Sequence, residues 1–172
     1  RGKPVWITEF GWDCTTKKPE PKGDFAKWVG VTDLQQAQYL VRSTLVFMTL
    51  DVARAYIFYY DDNDEASVHA ASGITRKFQP KPSYHALSHL QRTLGEFRLS
   101  RVRVSRPGEL FVYEFEQASQ PAKKVLAAWS PTGSGRTAEA SIELGGARVS
   151  RAERMPLEAG AAPAESVDVK DG

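Results

Sequence analysis

The sequence predicts an α/β unit followed by an antiparallel β-sandwich domain, and three observations carry that expectation. The stretches "VWITEF" and "ARAYIFYY" are apolar and aromatic runs of strand length, bounded by turn or acidic residues. Between them Thr32 opens a helical pattern, and strand, helix, strand in that order implies a parallel pair. After residue 96 the text changes to short, partly alternating runs separated by turn signals, the mark of antiparallel β structure. Residues 1–96 are therefore expected to form one domain and 97–172 a second, accessory one.

The first strand raises a chemical question. Val5, Trp6, Ile7 and Thr8 are β-branched or aromatic and read as a strand buried on both faces, yet Glu9 stands at its carboxyl end. A buried carboxylate is costly unless wet, paired or used in chemistry. The Lys-, Pro- and Gly-rich segment "DCTTKKPEPKGDFAKWVGV" follows, longer than a routine connection and so a candidate functional loop. Thr32 and Gln35 then form a capping-box pair, and Leu34, Ala37, Val41, Leu45 and Met48 recur at helical spacing as one stripe, with the helix ending near Leu50. "ARAYIFYY" reads as a second strand buried on both faces, running into the acidic "DDNDE". Beyond "GITRKFQPKP", Pro82 or Ser83 can open a helix that Gly95 closes. In the second domain the strand candidates are "FRLSRVRV", "ELFVYEFEQ", "KVLAAWS", "TAEASIEL" and "ARVSRAERM", broken by "RPGE", "SQPA", "PTGSG" and "GG". "PLEAGAAPAES" reads as an exposed loop, and "AESVDVKDG" as the start of a further strand.

Composition narrows the function classes. A net charge of +2, with bases and acids interspersed, gives no footprint for nucleic acid. No apolar run reaches the length of a membrane span. Cys14 is the single cysteine, so no internal disulfide framework exists, and it is expected as a free thiol in a loop. The opening Arg-Gly-Lys-Pro carries no signal-peptide pattern, and an interior portion of a longer polypeptide is the expectation.

With these residues in view, "KPVWITEFGW" resembles the seventh barrel strand of the retaining glycoside hydrolases of the large (β/α)8 clan, where a nucleophilic glutamate ends the strand. "YIFYYDDND" resembles the eighth strand, and "SGITRKFQPKPSYHAL" is similar to the segment leading into the last barrel helix. A β-domain placed after that helix is similar to the family 39 type. The resemblance implies that residues 1–96 are the last two β-α units of a TIM barrel and that 97–172 are a β-sandwich accessory domain, truncated at its end. It also implies Glu9 as the catalytic nucleophile, Trp12 as a wall of the sugar site, and Tyr59 or Tyr60 as the aromatic platform. Asp61 would take sugar hydroxyls. A retaining site needs a second carboxylic acid about 5–5.5 Å from the first. In the clan that acid follows an Asn, and no Asn-Glu pair exists here, so the acid/base is expected in a missing N-terminal part and the fragment alone should be inactive. The implied partner is an oligo- or polysaccharide, with no nucleic acid, no membrane span, no metal and no cofactor, in a secreted or periplasmic protein. Sugar, linkage and oligomeric state stay open.

Plainer readings stand beside these. Glu9 could be a strand-end carboxylate paired with a cation, and of the consecutive Phe58, Tyr59 and Tyr60 at least one should be core. His85 and His89 have metal-ligand spacing but no zincin glutamate, so they read as surface histidines. "DDNDE" lacks the central Gly and terminal Glu of a calcium loop, since Ser72 holds the twelfth place from Asp61. Phe111, Tyr113, Phe115 and Trp129 could form a sugar platform, but an aromatic stripe on strands reads first as core. A non-catalytic carbohydrate-binding or adhesion protein on a barrel remnant is the alternative function.

Overall fold

The computed structural model describes residues 2–17, 29–67, 69–131 and 138–166. Residues 18–28 of the long candidate loop, most of the "PTGSG" turn, the first residue of "TAEASIEL" and the strand expected to begin in "AESVDVKDG" lie outside them. The chain divides into two compact units, Arg1–Arg92 with Met155–Ala162, and Thr93–Arg154 with Pro163–Gly172.

In the first unit β1 (Val5–Phe10), α1 (Asp33–Phe47) and β2 (Val52–Ile57) form a β-α-β crossover with β1 and β2 parallel. Thr32 caps α1 as its neighbours predict: its hydroxyl accepts the Gln35 amide at 3.1 Å, and Gln35 Oε1 accepts the Thr32 amide at 2.9 Å. The buried stripe is rotated from the expected one. Gln36, Ala37, Leu40 and Leu45 are buried, while Leu34 and Met48 are exposed. Gln36 turns inward because its amide is fully used: Nε2 donates to the carbonyls of Trp12, Ser72 and Gly73, and Oε1 accepts from Ser83 at 2.8 Å.

The strands also depart from expectation. The sequence expects both to be buried on two faces, yet most residues of each are exposed, adjacent ones included, so neither face is fully covered among the described residues. β2 ends at Ile57, earlier than the run "ARAYIFYY" suggests. Phe58, Tyr59 and Tyr60 therefore lie in a bend instead of alternating, and none is buried. Beyond them β3 (Asp61–Asp62), β4 (Thr75–Arg76) and β5 (Gln79–Pro80) make a small sheet, and Pro82 opens α2 (Pro82–Leu94).

The second unit holds β6 (Phe97–Arg106), β7 (Leu110–Gln117) and β8 (Gln120–Trp129), an antiparallel sheet in that order. Phe115 and Tyr113 are buried, and Phe111 stacks on Trp129 at 5.1 Å, which makes this stripe core. The expected sandwich is not what the described residues form. Residues 138–152 run without regular pairing, and among the described residues of this unit a single isolated bridge joins Glu153 to Ala164 and one sheet is present instead of two layers. "AEASIEL" and "ARVSRAERM" alternate only in part and consist mainly of small or charged side chains, with too little apolar surface to hold a second layer. No helix among the described residues is long and apolar enough to cross a membrane.

Glu114 lies at the middle of β7, 1% exposed in its side chain, and it is met by Lys124 at 2.7 Å, by Arg103 and by Arg101 at 3.2 Å. The Lys124 hydrogen bond and those of the two arginines hold its carboxyl at about 2, against an ordinary 4.5. A depressed pKa stabilises the fold above the ordinary value and loses that contribution as pH falls toward the depressed one. The difference in thermal midpoint between the natural protein and Glu114→Gln is thus expected to be constant near neutrality, to shrink as pH drops below the ordinary 4.5, and to disappear near 2. Circular dichroism melts across that range check it.

Candidate active site

The carboxyl end of β1 is built around an irregularity. Ile7 pairs with Ala55 and Phe10 with Ile57, so three steps along β1 face two along β2, and the extra residue falls at Thr8–Glu9. A bulge of this kind re-aims side chains. Phe10 packs edge-on against Phe47 of α1 at 5.0 Å, on the helix side of the sheet. Trp6 lies on the opposite face with Tyr56, ring centroids 6.4 Å apart, and with the Arg54 guanidinium 4.9 Å over its ring. In an unbroken strand positions 6 and 10 would share a face. The offset breaks the alternation between Trp6 and Phe10, and Glu9 lies at it, at the carboxyl end of β1. Glu9 is exposed and makes no ion pair or hydrogen bond among the described residues.

The two strand ends meet closely. The Phe58 amide donates to the Phe10 carbonyl at 2.8 Å, and the Phe58–Tyr59 peptide is cis. A Cβ on Gly11 would collide with the Phe58 carbonyl oxygen, so glycine after "EF" is what permits this approach. Glu9 and the aromatics after β2 therefore share one edge of the sheet. Tyr59 is half-buried against the Phe58 ring, 4.7 Å between centroids, and its hydroxyl is pushed up by burial and by the charges of Asp62, Asp13 and Asp61. Tyr60 is 60% exposed. Trp12 is less free than a sugar-site wall would be: its ring packs edge-on against Phe10 at 6.3 Å and Tyr39 at 5.4 Å, both on the helix side. Asp61 Oδ1 accepts the Thr75 hydroxyl at 2.7 Å and the Phe78 amide at 2.6 Å, which commits that oxygen to the turn between β4 and β5.

Under this edge lies a buried polar cluster. The Lys81 ammonium is 2% exposed and reaches Asp62 Oδ2 at 2.5 Å, the Ala71 carbonyl at 3.2 Å and Cys14 Sγ at 3.3 Å. Cys14 donates to Asp33 Oδ1 at 3.1 Å, and Arg76 grips the same carboxylate at 2.7 Å. Burial opposes ionisation of Asp33, but its hydrogen bonds from Arg76 and Cys14 outweigh it and hold the carboxyl below its ordinary range. Asp64 accepts from Thr15 at 2.7 Å, from the Thr16 amide at 2.8 Å and from the Thr16 hydroxyl, and these bonds overcome burial to depress it. Asp13 accepts the His69 and Ala71 amides at 2.9 and 3.3 Å. The segments after β1 and after β2 are in this way tied to each other and to the start of α1. Among the described residues no group of three or more His, Cys, Asp and Glu is placed to hold a metal ion.

A fold of this kind has a solved counterpart. It is a family 39 glycoside hydrolase from the gut symbiont Bacteroides cellulosilyticus, similar with a TM-score of 0.54 and 24% identity over 74% of the present chain. The match takes in 23% of that chain, so the present sequence spans under a quarter of its length. The likeness is one of fold. No protein-family profile matches the sequence, and no curated protein does.

Sequence reasoning passed over Lys81, Asp33, Arg76 and Gln36, which hold the edge together, and over Arg54 and Tyr56, which meet the Trp6 ring. The signal for Lys81 was in "QPKPS": a lysine directly before a Pro-initiated helix, where its side chain starts at a buried helix end. Nothing comparable marks Asp33 or Arg76, whose partners are 19 and 43 positions away.

Two outcomes follow from the cluster. Lys81→Met strands the Asp62 carboxylate in the interior and is expected to cost about 3–5 kcal/mol, with part recovered when Asp62→Asn is added. Urea unfolding of the single and double variants measures both. Burial pushes the Cys14 thiol up to about 12, against the opposing charge of Lys81. The folded protein should resist iodoacetamide at about pH 8 and react only once denatured, as alkylation followed by mass spectrometry will read.

Proposed function

We propose that this chain carries the nucleophile side of a retaining glycoside hydrolase site. In this reading residues 1–96 are the last two β-α units of a (β/α)8 barrel, and 97–172 are an accessory β-domain. The other strands, with the acid/base, belong to polypeptide outside this sequence. The protein acts on an oligo- or polysaccharide outside the cytoplasm, secreted or periplasmic, and needs no cofactor.

One observation supports the proposal: Glu9 stands exposed at a register irregularity, at the carboxyl end of a parallel β-α unit. Carboxyl ends of parallel strands are where barrel enzymes assemble their sites. The fold likeness to a family 39 glycoside hydrolase supports the same reading.

The chemistry assigned to Glu9 is a double displacement. Its carboxylate oxygen attacks the anomeric carbon as the glycosidic C–O bond breaks, and the departing oxygen takes a proton from the second carboxylic acid. That acid, now a carboxylate, removes a proton from water, whose oxygen attacks the anomeric carbon and frees Glu9 with retained configuration. Tyr59 and Tyr60 at the neighbouring strand end would pack against C–H faces of the sugar. Trp12 would shape the wall chiefly by holding Phe10 and Tyr39, and Asp61 would offer Oδ2 to sugar hydroxyls.

The test uses the whole natural protein that contains this sequence, assayed on aryl glycosides and β-linked oligosaccharides. Glu9→Gln should lower kcat/KM on the order of 10³-fold or more. Added azide should restore turnover to Glu9→Ala, giving a glycosyl azide of inverted configuration. A 2-deoxy-2-fluoro glycoside should label the peptide that contains Glu9. Unchanged turnover in Glu9→Gln would sink the assignment and favour a non-catalytic carbohydrate-binding protein.

A further inference from the structure

We infer that Phe78, at the tip of the β4–β5 hairpin, is a specificity residue that packs against a second sugar ring, so that the site takes an oligosaccharide chain and not a single glycoside. This rests on the glycosidase reading in one respect, that the ligand is a saccharide.

A single exposed apolar residue needs no explanation, but the backbone of this one does. Phe78 is 76% exposed with φ +59°, and Lys77 before it has φ +49°. Arg76 pairs with Gln79 across them, so the two residues form the tight turn that demands a left-handed backbone at both central positions. Such turns take Asn-Gly or Asp-Gly, because a side chain as large as Phe is strained in that conformation. Phe78 therefore costs the turn stability that glycine would not, and a ring left mostly in water recovers little of it by packing. Strain kept at an exposed position is the mark of a functional contact.

The turn is fastened to the candidate site. The Phe78 amide donates to Asp61 Oδ1 at 2.6 Å and the Lys77 amide to the Asp62 carbonyl at 2.9 Å, while the buried Lys81 grips the Asp62 carboxylate. A Cβ on Gly73, two residues before β4, would come within 2.7 Å of the Asp62 amide, so the hairpin lies tight against the segment that follows β2. Along that segment Phe58 is 37% exposed and Tyr60 60%, which with Phe78 makes three exposed rings on one hydrogen-bonded stretch of the edge. The Phe58 amide is bonded to the end of β1, and the three residues from there to Asp61 span at most about 11 Å, so an oligosaccharide with one ring at Glu9 can reach the hairpin tip. Pyranose rings offer C–H faces, and a flat apolar side chain already held in place binds them with little further loss of freedom. Tyr59 and Tyr60 adjoin the strand end and serve the ring being cleaved. Phe78, further along, serves the next one.

The intact natural protein tests this through Phe78→Gly and Phe78→Tyr. Thermal melts are combined with calorimetric titration, in the Glu9→Gln background, of xylohexaose, cellohexaose, mannohexaose and the corresponding monosaccharides. Phe78→Gly should melt no lower than the natural protein, because the turn gains its favoured residue. The hexaose that binds should bind more tightly than its monosaccharide, and Phe78→Gly should lower its affinity about 5-fold or more. Phe78→Tyr keeps the ring and should stay within about 2-fold of the parent. A lower melting point in Phe78→Gly would mean that the ring packs on other polypeptide, and it overturns the inference. So does a smaller loss of affinity, an equal loss in Phe78→Tyr, a monosaccharide bound as tightly as the hexaose, or no binding of any hexaose. Glu9→Gln separates the two proposals: if that variant still turns over, the catalytic reading fails and the Phe78 comparison is read from KM. If Glu9→Gln is inactive and Phe78→Gly leaves hexaose binding as it was, only the inference about Phe78 fails.

Discussion

The buried contact of Lys81 with Asp62 is the constraint on which the rest of the candidate site depends. An ammonium that is 2% exposed survives only because each of its donors has a partner, and those partners come from three separate segments: Asp62 after β2, Ala71 in the loop before β4, and Cys14 after β1. Lys81 itself directly precedes α2. A pair of this kind adds little net stability compared with an apolar replacement, but a half-broken one is expensive. Its effect is to make one arrangement of these segments far better than any other. Arg76 and Asp33 extend the same logic to the first turn of α1, and Asp64 with Thr15 and Thr16 to the entry of the long loop.

Because the segments behind the sheet edge are locked, small local features in front of it acquire consequences. The extra residue in β1 would be a minor defect in a mobile strand. Here the end of β1 is held against Phe58 through the Phe10 carbonyl, with no room for a side chain on Gly11, so the irregularity that contains Glu9 is held in place. Hydrophobic contact of Phe10 with Phe47 holds the same stretch from the helix side.

The second unit shows the same physics with a different outcome. Three cations converge on Glu114 in the central strand, and the aromatic stripe of Tyr113, Phe115 and Trp129 fills the opposite face. A strand read from alternation alone would have a wet face and a dry one. β7 lacks the wet one, because a carboxylate surrounded by long basic side chains is buried too, their methylene stems supplying the cover.

What the sequence determined by itself is what neighbouring residues decide among themselves. The capping box of Thr32 and Gln35, the Pro82 start of α2, the strand character of "VWITEF", the parallel sense of the β-α-β unit and the three hairpin-linked strands of the second unit all follow from spacing, propensity and chirality. Glu9 was conspicuous because a carboxylate breaks an apolar run. Only the tertiary structure decided that Glu9 falls at a register offset, that Gln36 and not Leu34 belongs inside, that Trp12 leans on Phe10 and Tyr39, and that Lys81, Cys14, Asp62 and Asp33 meet. The meeting of Lys81, Cys14, Asp62 and Asp33 depends on partners 19 to 67 positions apart, and the setting of Glu9 on a one-residue offset between strands, and neither leaves a period in the sequence. A single inserted residue reverses every side chain beyond it, so the face of a strand-end residue is decided by register, and register is a property of the pair.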